Sequence, residues 1–145
     1  MSNYTSIIVG AVLPAFLWGV TAVFQKLSAT AELGPGRYLM IFGAVIFFGG
    51  LSYSRIVGET SFTIQGATFA GLAGLSFALG TGLLSYALWR LNMPISKASP
   101  ILATNVLVTV FIGAFLLGEI SSLNGPRLLT GTILVLLGAI VVTSS

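Results

Sequence analysis

Five long apolar stretches, joined by short polar or charged segments, make up almost the whole chain. They cover residues 6–27, 37–53, 63–90, 95–118 and 127–143. A helix needs about 20 residues to cross a hydrocarbon core of roughly 30 Å, and each stretch is close to that length or beyond it. Lipid offers backbone amides no water, so stretches of this kind must close their hydrogen bonds internally as helices. The pattern predicts an all-α integral membrane protein with five transmembrane helices, organised as a single domain over residues 1–145.

Polar positions inside these stretches are few, and their spacing is informative. In the first, Pro14, Trp18, Thr21 and Gln25 recur at steps of four, three and four and share one helix face. Two readings follow. Either Pro14 kinks the helix, Trp18 packs and Thr21 bonds its own backbone, or the four form a polar stripe facing a cavity; Gln25, costly to leave in lipid, favours the cavity. Glu32 to Gly36 reads as a tight turn. The second stretch, rich in Tyr38, Phe42, Phe47 and Phe48, reads as a packing helix, followed by a polar loop over 55–61. In the third, Gly66, Ala70, Gly74, Ala78 and Gly82 form a small-residue ridge that permits close backbone approach. It ends in Ser85, Tyr86, Trp89 and Arg90, either an interfacial aromatic belt or a substrate gate.

The fourth stretch is the most unusual. It opens on Pro94, Lys97 and Pro100, passes Thr104 and Asn105, and then runs apolar to Glu119. Lys97, Pro100 and Thr104 lie on one face, with Asn105 beside Thr104. Asn105 lies well inside the span, where its amide needs a partner: another helix or a solute cavity. The fifth stretch carries no charge inside it after Arg127 at its start, and offers Gly131 and Gly138 as a packing face.

Composition sharpens this picture. Hydrophobic residues are 56% of the chain and charged residues 6%, and the mean hydropathy is +1.06. A soluble domain of this size could not cover its surface with so few polar groups. Cysteine and histidine are absent, so disulfides, thiolate chemistry and the usual metal ligands drop out; neither a cofactor nor a metal is expected. The start, MSNYTS, lacks the basic region of a secretory signal; Ala29-Thr30-Ala31 resembles a small-residue cleavage site, but the stretch before it is long and ends in Gln25-Lys26, so the first stretch is expected to be retained as a span. The net charge of +3 sits at helix ends, which suits membrane anchoring rather than nucleic-acid binding. Lys26, Arg37, Arg90 and Lys97 fall on one side and Arg55 and Arg127 on the other, so the positive-inside rule favours an outside N-terminus and a cytoplasmic C-terminus. The bias is shallow enough to permit insertion in both orientations.

Several of these stretches resemble a known family. Leu17-Trp18-Gly19-Val20-Thr21-Ala22 with Gln25-Lys26, Ser85-Tyr86-Ala87-Leu88 leading to Ala98-Ser99-Pro100, and Phe115-Leu116-Leu117-Gly118-Glu119 followed by Gly131 and Gly138-Ala139 resemble, in order and spacing, the EamA-type repeat of the drug/metabolite transporter superfamily. The resemblance covers nearly the whole chain and is closest to the single-repeat, five-helix bacterial and archaeal branch. It implies one half-repeat of a ten-helix transporter fold in the cytoplasmic membrane. The departures are Ile101-Leu102-Ala103 where this branch often carries charge, and the absence of any carboxylate inside a span.

The expected function is a small transporter, exporting or exchanging a small polar metabolite such as an amino acid by alternating access. One five-helix copy is small for such a task, and transporters commonly build the site between two repeats; a homodimer in lipid, parallel or antiparallel, is the expected assembly. Trp18, Thr21, Gln25, Tyr86, Pro100, Thr104 and Asn105 are the expected cavity residues, with Lys26, Arg90, Lys97 and Glu119 as charges at its mouth. Two alternatives stay open. One is a non-transporting membrane subunit of a heterodimer or larger complex. The other is a proton-coupled small-multidrug-type exporter, against which the missing intramembrane carboxylate argues. No nucleophile and base are paired, so an enzyme is not expected.

Overall fold

A computed structural model describes residues 3–115 and 124–143. Among the described residues, every regular element is helical, and five helices are long and apolar enough to cross a membrane. We number them α1 (Tyr4–Thr30), α2 (Pro35–Val57), α3 (Ile64–Arg90), α4 (Ile95–Ala114) and α5 (Gly125–Val142). By its internal contacts the chain falls into two compact units, Met1–Met93 and Pro94–Ser145, each described below by itself.

The first unit holds α1 to α3. Near its start α1 widens over Ile8–Val12, where the Leu13 N–H reaches the Ile8 carbonyl five residues back. The cause is Pro14, which has no N–H to donate and whose ring crowds the carbonyl of Gly10 one turn earlier. At its other end α1 stops in a left-handed turn: the Leu33 N–H bonds the Ser28 carbonyl (3.1 Å) and the Glu32 N–H the Ala29 carbonyl (3.1 Å). Glu32 occupies the left-handed position at φ 60°, where a Cβ is strained. Glu32→Gly is therefore expected to raise stability by about 1 kcal/mol. The check is the midpoint of denaturant unfolding in detergent; an unchanged or lowered midpoint would show that the carboxylate contributes more than the strain costs.

Pro35 opens α2 at its first turn, where a missing N–H costs nothing. The helix continues four residues beyond the expected end at residue 53. Arg55 sits favourably in its last turn, and Gly58, at φ 71°, ends it with its N–H on the Ser54 carbonyl (3.0 Å). Thr63 caps α3, its hydroxyl accepting the Gly66 N–H at 3.2 Å.

Packing uses only part of the small-residue ridge on α3. At Gly82 an added Cβ would meet Leu39 Cδ1 at 3.2 Å, so the glycine admits α2. Gly66, Ala70 and Gly74 remain exposed. The α2–α3 contact continues through stacked rings: Tyr38 on Phe42 at 5.5 Å and Phe42 on Phe77 at 6.0 Å between centroids.

In the second unit, α4 is not continuous. Ile95–Leu102 and Asn105–Phe115 are separate helical segments. Between them the N–H groups of Thr104, Val106 and Leu107 bond carbonyls three residues back, not four. Pro100 lies inside the first segment, which loses one ladder bond there. That first segment packs on α5. Ala98 and Ala139 are among the buried residues, whereas Gly131 and Gly138, expected to form the packing face, are exposed.

Candidate functional site

The buried polar groups of the first unit gather where α1 and α3 end. Gln25 and Ala29 are one turn apart on α1; Thr81, Ser85 and Leu88 lie at steps of four and three on α3. Each set therefore presents one face to the other helix. Gln25 and Ser85 are buried at 5% and 4% exposure, and Leu88 beside them at 1%. The Gln25 amide Nε2 donates to Ser85 Oγ at 2.7 Å and to the Thr81 carbonyl at 3.2 Å.

Lys26, the next residue, closes the same end. Its half-buried side chain places Nζ 3.2 Å from the Met93 carbonyl and 3.4 Å from the Leu88 carbonyl. The backbone explains why these carbonyls are available. Asn92 turns left-handed at φ 53°, and the N–H groups of Leu91 and Met93 both go to the Ala87 carbonyl, each at 3.2 Å. The ammonium thus caps the negative end of α3, where a cation is favoured. It also holds the C-terminal ends of α1 and α3 together at one end of the unit. An ammonium has three donors, and two are placed here.

The other expected cavity residues of this unit are not drawn into that cluster. Trp18 is 72% exposed and Tyr86 49% exposed. Thr21 is half-buried, and its hydroxyl donates to its own helix at the Leu17 carbonyl (2.9 Å). The exposed Arg90 guanidinium lies 5.6 Å from the ring of its neighbour Trp89. Pro100, Thr104, Asn105 and Lys97 belong to the second unit. There Pro100 is half-buried, Lys97 and Asn105 are exposed, and the Thr104 hydroxyl donates to the Ile101 carbonyl at 2.6 Å, completing the break in α4. Glu119 lies outside the described residues.

From the sequence, Ser85 is expected only as part of the polar-aromatic end of α3, a belt or a gate, and not among the cavity residues. A signal for it existed: a glutamine within a span needs a partner, and Ser85 is a polar residue in the corresponding last turns of α3. Two concavities lie elsewhere in the first unit. A groove of about 560 Å³ runs along α2 past Ile41, Phe48 and Ser52. A crevice of about 320 Å³ lies between α1 and α2, lined by residues that include Thr21, Ser28 and Tyr38. No group of three or more metal-ligating side chains occurs among the described residues.

No family model, curated protein or solved structure matches this chain. The likeness to the EamA-type repeat therefore stands on the sequence motifs alone.

Proposed function

We propose that this chain is a small carrier in a bacterial or archaeal cytoplasmic membrane. It moves a small polar metabolite, such as an amino acid, by alternating access as a homodimer. The observation that carries this reading is the interruption of α4. A membrane span interrupted at residues 103–104, three residues after Pro100, closes its N–H groups in tightened turns and leaves Asn105 exposed next to the break; a polar amide exposed within a span is favoured where it meets a cavity or protein. Discontinuous spans of this kind form the sites of many secondary transporters. The exposed Gly66, Ala70 and Gly74 on α3 and Gly131 and Gly138 on α5 leave room for a second copy to approach closely. In this reading Thr104 and Asn105 supply hydrogen bonds to the solute, with Lys97 of the same unit at the mouth.

One observation favours a second reading, a non-transporting membrane subunit. Gln25 and Lys26, the most polar side chains of α1, are both bound to α3, where they hold helices together and leave less for a solute.

Proteoliposomes of the purified chain, loaded with a panel of amino acids and nucleosides with and without a pH gradient, separate these readings. Uptake independent of the gradient is the expected result. Asn105→Ala should slow it about fivefold, since one net hydrogen bond is worth roughly 1 kcal/mol. Gradient-driven uptake would point to a titrating carboxylate and a proton-coupled exporter. A purified chain that stays monomeric and transports no panel member would instead favour the subunit.

A further inference from the structure

Charge in the first unit is gathered at one end. Gln25 bonds Ser85, Lys26 bonds the carbonyls of Leu88 and Met93, and Leu39 lies against Gly82. The last turns of α1 and α3 and the first turn of α2 therefore share that end. Lys26, Arg37 and Arg90 stand there, one from each helix, with Glu32 as the lone carboxylate of the end. The opposite end of the unit carries Arg55 and Glu59, whose charges offset each other.

Local structure accounts for the lysine but not for the two arginines. Lys26 is held by the carbonyls that end α3, where a cation is favoured. Arg37 stands in the first turn of α2, where the helix dipole opposes its charge, and no acidic residue shares that turn. Both arginines are exposed. Neither forms an ion pair with Glu32 or with any other carboxylate among the described residues. Arg90 lies 5.6 Å from the ring of Trp89, an indole of the kind that settles at headgroup depth. Each guanidinium thus keeps a full set of donors, and their planar fork matches two oxygens of one phosphate.

Depth selects the partner. The spans of 27, 23 and 27 residues that make up this unit are each about 35 Å long or more, against a hydrocarbon core of roughly 30 Å. Their terminal turns therefore lie among the phospholipid headgroups, and a charge there meets phosphate. A zwitterionic headgroup brings its own cation, which competes with the arginines for that phosphate; a phosphatidylglycerol headgroup brings none. We propose that this end of the first unit selects anionic phospholipids, with headgroup phosphates on Arg37 and Arg90 and the charge of Lys26 adding to the field. The balanced pair Arg55 and Glu59 gives the opposite end no such preference. The assignment does not depend on transport, because lipid selection is read without flux.

Native mass spectrometry of the full chain, released from nanodiscs of equal phosphatidylcholine and phosphatidylglycerol, tests it by counting the lipids that stay bound. Phosphatidylglycerol is expected to be retained over phosphatidylcholine by about fivefold or more, the effect of one basic side chain near a bilayer surface. Arg37→Gln and Arg90→Gln should each lower that preference, and the double variant should remove most of it, with helix content unchanged by circular dichroism. Arg55→Gln, at the opposite end, should leave it as it is. Equal retention of the two lipids would overturn the proposal, as would a preference that survives in the double variant. A loss on Arg55→Gln as large as in the double variant would also overturn it, since net charge alone would then set the preference. So would displacement of phosphatidylglycerol by glycerol phosphate, which would assign the arginines to a soluble anion.

Discussion

Replacing Lys26 with methionine is expected to loosen the C-terminal end of α3 by about 2 kcal/mol. Methionine keeps most of the apolar stem and so preserves its packing. It removes the ammonium that bonds the Leu88 and Met93 carbonyls. Hydrogen bonds to a charged group contribute roughly 1.5–3 kcal/mol, and the favourable end of a helix dipole adds about 0.3–1 kcal/mol. The group is half-buried and water competes for it, so the lower part of that range applies. The loss should be local. Amide exchange over residues 87–93 should quicken about 30-fold, while the middle of α2 keeps its protection. Lys26→Arg should restore only part of it, because a planar guanidinium cannot place donors on these two carbonyls as an ammonium does. Exchange in this segment that is indifferent to both substitutions would mean the lysine side chain fixes nothing.

The second expected effect is the coupling between Gln25 and Ser85. Gln25→Ala removes two hydrogen bonds between α1 and α3, at 2.7 and 3.2 Å. The net loss is expected to be modest, because Ser85 can then turn its hydroxyl to the Thr81 carbonyl one turn back. Hydrogen bonds between membrane helices average about 0.6 kcal/mol and reach about 1.7 kcal/mol. Both groups here are nearly fully buried and the shorter contact is close, so a double-mutant cycle of Gln25→Ala with Ser85→Ala should give a coupling of about 1 kcal/mol. Gln25→Leu, which keeps volume but loses the amide, should cost less than Gln25→Ala; the difference measures packing alone. A cycle that closes to zero would leave the two residues neighbours without an interaction.

These two predictions concern positions that the sequence picked out without assigning their partners. Gln25 was legible as a polar group that must be satisfied inside a span, and cavity or helix contact were both open. The structure supplies Ser85, 60 residues away. Lys26 read as a charge at a cavity mouth; in the structure it reaches across to the carbonyls that end α3. Trp18, Thr21 and Gln25 share a helix face by spacing, yet only Gln25 is buried against α3, because that face extends further along α1 than the helix contact does.

The sequence by itself determined the class and the helix inventory. A chain that is 56% hydrophobic and 6% charged can satisfy its backbone in lipid only by forming helices, and its charges mark where those helices stop. The ends set by local chemistry were legible too: Thr63 before α3, Arg90 at its close, and the turn from Glu32 to Pro35. The tertiary structure decided the rest. It carried α2 on to Val57, where Gly58 and not the first arginine ends the helix. It divided α4 around residues 103–104, and placed Ala98 and Ala139 in buried positions where the glycines of α5 were expected to pack. The physical reason is one of range. Helix formation and termination depend on neighbours within about four residues. Which turn of one apolar helix meets which turn of another depends on side-chain fit and on the reach of the connecting turns, and nearly uniform hydropathy along each span does not encode that register.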